Sequence, residues 1–275
     1  MAEDRFDTHS TVSALEGEES ATPSGPLKRD LVAGLEKGLA VIEAFDQERP
    51  RLTISEVAER TGLTRAAARR YLITLTHLGF VSQDRKMFAL TAKVLRLGQS
   101  YMHSARLPRI VQPELHKVAY TLKEASSAGV LDGNDVICIA ATSAGRVVSS
   151  TLQPATRVPA YCTANGRVLV AGLSPAESQA WIERQSLQAL TPYTITSTDR
   201  LRQEIERVRG QGYAAVDQEF ELGLRTISVP LRNYRGDVVA ALNISVHASR
   251  ISMEQLTDQC LPALLQAQAQ LRQLL

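Results

Sequence analysis

The hydrophobic positions between residues 52 and 78 recur at helical spacing in two short runs separated by Gly62. The first run predicts a helix with Thr53 or Ser55 as its N-cap, and the second predicts a helix that starts after Thr64 and ends near Leu78. A short helix, a turn containing glycine and a second helix are typical of a helix-turn-helix. The face of the second helix opposite the apolar stripe carries Arg65, Ala66, Arg69, Arg70, Ile73 and His77.

The residues after the second helix favour DNA binding over a plain solvated helical hairpin, which the helix pair alone leaves open. Gly79 to Val81 is extended, Ser82 to Met87 is polar, and Phe88 to Leu90 is apolar again, so the pattern predicts a β-hairpin wing with basic residues near its tip. We therefore expect a winged helix-turn-helix over residues 27–90. Its predicted DNA contacts are Ser55, Thr64, Arg65, Ala66, Arg69, Arg70, Arg85 and Lys86.

Two further helices are predicted on either side of this region. One runs from about Leu31 to before Pro50, and its stripe should complete a three-helix core, although a partner subunit could cover part of it. The other runs from Thr91 to Ala105, and Leu107 and Pro108 interrupt the helical pattern directly after it. Residues 91–107 are thus predicted to link the two domains. The stripe of the first helix consists of Leu31, Leu35, Leu39, Ile42 and Phe45.

Residues 108–275 alternate helical and extended patterns, which predicts an α+β domain with an antiparallel sheet. A hairpin is expected around Asp132-Gly133, and capping sequences begin helices near Thr163 or Asn165, at Ser174 and at Ser252. Other predicted helices cover 110–123 and 199–211. Predicted strands cover 147–152, 213–217, 225–231 and 238–246.

Composition narrows the possible partners and compartment. The net charge of the 275 residues is only +2, so affinity for nucleic acid must come from a local basic surface. Residues 1–26 are acidic and poor in large apolar groups, which predicts a disordered tail. The three cysteines form no CxxC pair, and we find no signal peptide and no apolar run of about 20 residues. A cytoplasmic protein without membrane contact is therefore expected.

The sequence contains no enzyme signature, no cofactor motif and no metal-ligand spacing among its histidines. Two stretches, 157–167 and 217–230, instead place polar groups beside a predicted helix N-terminus and a predicted strand. A helix N-terminus attracts carboxylates, although Thr163 could simply cap the helix. Glu219 and Arg225 could equally form a surface ion pair. Asn243 and Ser245 share one strand face and need polar partners, which a ligand carboxylate would supply.

Three segments of this sequence together resemble the IclR family of bacterial transcription regulators. The first consists of residues 35–41, the helix pair through Arg70 and residues 78–81. The second is residues 162–169, and the third is residues 212–219 with residues 223–230. Within the family, residues 63–71 and 159–163 look most like the regulators of protocatechuate and 4-hydroxybenzoate catabolism. The resemblance implies a GAF-like effector domain that binds a small carboxylate, operator DNA as partner, and a dimer or dimer of dimers. By motif position it places the pocket on Ala164, Asn165, Val216, Thr226, Asn243 and Ser245, although Val216 and Asn243 depart from the common pattern.

The motif and the polar stretches together give the predicted effector site. An alternative hypothesis is a cytosolic enzyme that uses Cys162 as nucleophile beside an accessory DNA-binding module, although a buried cysteine is the simpler interpretation. A third is a structural oligomerisation protein whose helix pair touches only protein. The predicted effector residues are Cys162, Thr163, Ala164, Asn165, Gly166, Val216, Asp217, Glu219, Arg225, Thr226, Asn243 and Ser245.

Overall fold

The computed structural model describes residues 28–46, 48–142 and 153–275. The chain divides into two compact units between Val94 and Leu95. Residues 1–26, which the sequence predicts to be disordered, and residues 147–152, which it predicts to be a strand, lie outside the described part of the chain.

The first unit is built on three helices, α1 (Ala33–Glu43), α2 (Ile54–Thr61) and α3 (Arg65–His77). Thr53 caps α2 in a reciprocal capping box with Glu56, so Ser55 lies inside the helix and is not the cap. Gly62 ends α2 at a φ of 66°, in the left-handed region that glycine adopts without strain. Thr64 then caps α3, as predicted.

A three-stranded antiparallel sheet forms the wing. Its strands are β1 (Arg51–Leu52), β2 (Val81–Asp84) and β3 (Met87–Leu90), in the order β1-β3-β2. The β2–β3 turn holds Arg85 and Lys86, as the polar run in the sequence predicts.

The predicted apolar stripe of α1 packs inward only at its C-terminal end, where Ile42 and Phe45 contribute to the core of the unit. Leu31, Leu35 and Leu39 are 52, 64 and 46% exposed, whereas Val41 and Phe45 are buried in the core of the unit. The side of α1 that faces α3 carries Gly34 and Gly38, which both approach Tyr71. Small residues let the two helices come close, so the inward stripe is the one that starts with glycine and the leucine stripe faces outward.

The linker also differs from its prediction. A 3-10 turn (Ala92–Val94) leads into α4 (Leu95–Ser104), whose end agrees with the predicted end at Ala105, but Leu107 and Pro108 do not interrupt a helix. The next helix, α5 (Arg106–Leu122), includes Pro108 in its first turn. A proline is tolerated there because amides of the first turn have no intrahelical acceptor.

The second unit contains a six-stranded antiparallel sheet in the order β6-β5-β4-β9-β8-β7. The sequence predicted each of these strands except β6, which has only three residues. The strands are β4 (Ala125–Asp132), β5 (Asp135–Thr142), β6 (Arg157–Pro159), β7 (Ala214–Asp217), β8 (Leu224–Arg232) and β9 (Val238–His247).

Helices cover both faces of this sheet, so the predicted α+β class is confirmed. One face packs on α5 and on the closing helix, which consists of α9 (Met253–Gln255), a π-helical turn (Leu256–Cys260) and α10 (Leu261–Arg272). The other face packs on α6 (Ala164–Ala171), α7 (Pro175–Glu183) and α8 (Thr198–Gln211). Alternation along β8 sends Ile227 and Val229 toward α5 and α10, and Thr226 and Ser228 toward α6.

Candidate functional site

The outer face of α3 carries three exposed arginines. Ala68, Leu72 and Leu75 are buried on the inner face, so helical periodicity turns Arg65, Ala66, Arg69 and Arg70 outward. Within the described part of the chain, no carboxylate lies within 4 Å of these guanidinium groups. The arginines are therefore free to meet a ligand of opposite charge.

The other predicted DNA-contact residues lie on exposed parts of the same unit. Ser55 is exposed on α2, and Arg85 and Lys86 are exposed at the wing tip. Thr64 is exposed too, but its hydroxyl accepts the Ala67 amide at 3.2 Å and serves as a cap. At the base of the tip, Arg51 pairs with Asp84 at 2.8 Å, which ties β1 to β2.

A pocket lies between the N-terminus of α6 and the sheet of the second unit. The volume of this cavity is only about 30 Å³. The closed pocket therefore has room for about two waters. Its lining residues are Val158, Cys162, Thr163, Ala164, Asn165, Val216, Phe220, Leu224, Thr226, Asn243 and Ser245.

Eight of the twelve predicted effector residues line this pocket: Cys162, Thr163, Ala164, Asn165, Val216, Thr226, Asn243 and Ser245. The sequence interpretation missed Val158, Phe220 and Leu224. Phe220 had a detectable signal, because it is a large apolar residue within the polar run from Asp217 to Gly223.

Gly166, Asp217, Glu219 and Arg225 do not line the pocket. A Cβ on Gly166 would lie 2.0 Å from the carbonyl oxygen of Ala160, so close packing fixes this glycine. The ion pair between Glu219 and Arg225, which the sequence allowed as one interpretation, is not formed. Arg225 pairs with Asp217 (Nε–Oδ1 2.7 Å) across β7 and β8, and Glu219 turns inward.

Glu219 forms a buried ion pair with Arg167, whose guanidinium is almost fully enclosed. Arg167 Nη2 donates to Glu219 Oε2 at 2.6 Å, and its Nη1 lies 3.6 Å from Glu204 Oε1 on α8. The same Glu219 oxygen accepts the Ile195 amide at 3.0 Å. These bonds join α6, α8 and the loop that carries Phe220, so they hold two walls of the pocket together.

The polar wall of the pocket is a chain of buried side chains. Ser228 Oγ lies 2.9 Å from Asn165 Oδ1 and 2.8 Å from Asn243 Oδ1, and Asn243 Nδ2 donates to Ser245 Oγ at 2.9 Å. At the adjoining end, Thr163 caps α6 by accepting the Gly166 amide at 3.3 Å. The wall thus offers hydrogen-bonding groups beside the positive end of a helix dipole, where an anion is favoured.

Comparison with known proteins now identifies both units. Residues 34–85 match the IclR helix-turn-helix domain, and residues 99–273 match the domain described as the C-terminal part of the bacterial transcriptional regulator IclR. The chain belongs to the IclR family. It is therefore a regulator of transcription with a DNA-binding head and an effector-binding domain.

Two curated IclR-family relatives share 40% identity with this chain. The Pca regulon regulatory protein of Pseudomonas putida aligns over 239 residues, which cover 86% of this chain and 82% of the relative. The p-hydroxybenzoate hydroxylase transcriptional activator of Acinetobacter baylyi aligns over 250 residues, which cover 89% of this chain and 92% of the relative. Both are regulators and not enzymes.

Solved structures show the same IclR architecture. A protein from Rhodococcus sp. RHA1 is 43% identical, with a TM-score of 0.73 over 88% of this chain and 98% of that one. The inducer-binding domain of the PobR transcription factor from Acinetobacter is 33% identical, with a TM-score of 0.59 over 62% of this chain and all of that one. It was solved as a double mutant in complex with 3-hydroxybenzoic acid.

The chemistry of Cys162 agrees with a regulator. Burial raises the pKa of this thiol to about 12, so it stays protonated at neutral pH and is a poor nucleophile. Both the protonated thiol and the regulatory role of the relatives therefore contradict the alternative of an enzyme that uses Cys162 as nucleophile. Among the residues that the structure describes, no cluster of side chains could hold a metal ion, and no helix is long and apolar enough to cross a membrane.

Proposed function

We propose that this protein is a cytoplasmic regulator of genes for aromatic-acid catabolism, controlled by a small carboxylate bound in the pocket beside α6. The observation that carries the proposal is the enclosed polar wall at a helix N-terminus, in a chain whose relatives are named for the pca regulon and for p-hydroxybenzoate hydroxylase. An aromatic acid fits the pocket's lining, which is largely apolar with a few polar groups at one side.

The pocket must widen to admit such a ligand. A cavity that binds benzene is about 150 Å³, well above the roughly 30 Å³ available here. Phe220 lies in the loop between β7 and β8 and Leu224 begins β8, so movement of this loop is the simplest way to open the wall. In this proposal the effector therefore stabilises a second arrangement of the domain, which is the physical basis of control.

We further propose the division of labour within the chain. Residues 27–90 bind operator DNA, residues 91–107 link the two domains, and residues 108–275 bind the effector. The predicted contacts on α3 and at the wing tip meet bases and phosphates. Copies of the chain associate through exposed apolar residues of α1, so that two heads can engage two half-sites.

The DNA-binding part is tested by substituting Arg70, which is exposed on α3 and has no carboxylate partner among the described residues. Arg70→Ala should abolish specific operator binding, because a base-reading arginine contributes about 1–3 kcal/mol of discrimination. Arg70→Lys keeps the charge but not the planar fork, so it should retain binding to random duplex and lose discrimination. Footprinting and circular dichroism are the measurements. Unchanged footprints for both variants would contradict the assignment.

The effector part is tested by calorimetry with 4-hydroxybenzoate, protocatechuate, β-ketoadipate and small oxo acids. Asn165→Asp places a carboxylate on the pocket wall and should abolish acid binding by repulsion. Asp217→Asn is the matched control, because Asp217 lies outside the pocket and pairs with Arg225. An absence of heat with every acid would show that the effector belongs to another chemical class.

A further inference from the structure

Ser228 is fully buried on β8 and is not a member of the pocket lining, yet it touches two residues that are. Its hydroxyl oxygen lies 2.9 Å from the side-chain oxygen of Asn165 and 2.8 Å from that of Asn243. Asn243 is its cross-strand partner on β9, and Asn165 is on α6. Ser228 is thus the junction between the helix side and the sheet side of the polar wall.

The hydroxyl of Ser228 has one proton, so it cannot donate to both amide oxygens. The oxygen and nitrogen of a side-chain amide occupy equivalent positions, and a half-turn of either asparagine amide supplies the missing donor. Ser228 then donates one hydrogen bond and accepts another. The consequence is a chain in which every bond runs in the same direction, from Asn165 to Ser245 or from Ser245 to Asn165.

The two directions present different groups to the pocket. When Ser245 donates to Asn243, Asn243 donates to Ser228 and Ser228 donates to Asn165. The amide N–H of Asn165 is then left for a ligand, and Ser245 offers only lone pairs. When the chain runs the other way, Asn165 offers its carbonyl oxygen and Ser245 its proton. The donor or acceptor character of one end therefore fixes that of the other.

We propose that Ser228 is a positioning residue that couples the two ends of the pocket, so that a carboxylate bound beside Asn165 makes Ser245 an acceptor for a hydroxyl of the same ligand. This inference rests on the proposed function. The positive end of α6 favours the carboxylate at the Asn165 side, which selects the direction that ends on the Asn165 N–H. A hydroxylated acid then fits both ends, whereas an acid without a hydroxyl leaves Ser245 without a donor.

The test compares benzoate with 3- and 4-hydroxybenzoate by calorimetry on the full chain. The wild type should bind a hydroxybenzoate several-fold more tightly than benzoate. Ser228→Ala removes the junction, so this preference should fall by roughly two- to tenfold, the worth of one hydrogen bond. Ser228→Cys has nearly the same volume but a weak donor, so it should lower the preference in the same way and provides the test if the alanine variant folds poorly.

Ser127→Ala is the matched control. Ser127 is also buried, lies opposite Asn243 on β4, and its hydroxyl has no hydrogen-bond partner among the residues that the structure describes. This variant should keep the wild-type preference, which separates the coupling from a general effect of removing a buried hydroxyl. An unchanged ratio in both Ser228 variants would overturn the coupling, as would equal binding of all three acids by the wild type. If the wild type bound no acid, the proposed function would fall with it.

A second readout does not depend on affinity. In NMR spectra, benzoate should shift the side-chain amide signals of both Asn165 and Asn243 in the wild type, since one event reorders the chain. In Ser228→Ala the Asn165 signal should still respond, and the response of Asn243 should be largely lost. An equal response of Asn243 in both proteins would contradict the coupling.

Discussion

Gly166 shows how a residue within a ligand-binding motif can be required for packing. The motif placed it in the effector site, but its Cα faces the backbone of Ala160 and leaves no space for a side chain. The neighbouring Asn165 reaches the pocket because Gly166 lets α6 approach the turn that precedes it. Sequence similarity identifies both positions and does not separate the two roles.

Gly166→Ala is therefore expected to destabilise the protein by about 3 kcal/mol, because a Cβ would lie 2.0 Å from a backbone oxygen that cannot move freely. Gly210→Ala, in α8, is the control. Among the described residues, no atom outside the adjoining helix backbone lies within 4 Å of a Cβ there, and alanine is favoured over glycine in a helix by about 1 kcal/mol. The midpoint of thermal unfolding should fall for Gly166→Ala and rise for Gly210→Ala. If the two variants were equally stable, α6 would be able to move away from Ala160.

The buried thiol of Cys162 makes the free energy of unfolding depend on pH in the alkaline range. An ordinary cysteine has a pKa of 9.0, and burial raises the pKa of Cys162 to about 12. Between these values the unfolded state has released the proton that the folded state still holds, so the free energy of unfolding falls as the pH rises. The loss of free energy of unfolding approaches about 1.4 kcal/mol per pH unit in this range.

Cys162→Ala should remove this part of the pH dependence. Denaturant unfolding measured between pH 9 and 11 should give a shallower loss of stability than in the wild type, while the two proteins differ little in slope below pH 8. Parallel curves above pH 9 would mean that the folded thiol ionises near its ordinary pKa.

At the scale of elements, the parts predicted from the sequence are those fixed by local chemistry. Thr53, Gly62 and Thr64 delimit α2 and α3 through caps formed within three or four residues. The packing of α1 was not predictable in this way. Two apolar stripes compete on that helix, and the contact between Tyr71 and the glycines of α1 decides which one faces inward.

The same distinction applies to the pocket. Family motifs place Asn165 and Asn243, but the partner of Glu219 is Arg167, 52 residues away along the chain. Arg225 is closer in sequence and chemically equivalent, so charge alone favoured the wrong pair. Only the fold, which brings α6 beside the β7–β8 loop, distinguishes the two arginines.

The wing tip allows charge and conformation to be separated. Arg85 has a φ of 55°, a left-handed conformation that a side chain makes unfavourable. Arg85→Gly should therefore not destabilise the fold, but it removes one phosphate contact. Affinity for operator and for random duplex should fall equally, and the salt dependence of binding should decrease by about one unit. Arg85→Lys should leave the salt dependence unchanged. A loss confined to the operator would instead indicate base recognition by the wing.

At the scale of the whole molecule, the exposed apolar residues of α1 form the surface through which we propose that copies of the chain associate. Val32, Leu35 and Leu39 are 72, 64 and 46% exposed and share one side of the helix. Single exposed apolar residues are ordinary, but a continuous stripe on a DNA-binding head is typical of an interface. Since a helix-turn-helix gains specificity by binding two half-sites, pairing of two heads through α1 would link self-association to operator affinity.

Leu35→Glu combined with Leu39→Glu should weaken self-association and specific operator binding together, because each paired interface would bury four unpaired carboxylates. Acid binding in the second unit should be unaffected. Tyr234→Glu is the control, since Tyr234 is 76% exposed on the β8–β9 turn of the second unit and should change neither property. Sedimentation velocity and footprinting at equal protein concentration measure the two effects. If the double variant keeps its sedimentation coefficient, association uses another surface; if it dissociates and still protects the operator fully, single heads are sufficient.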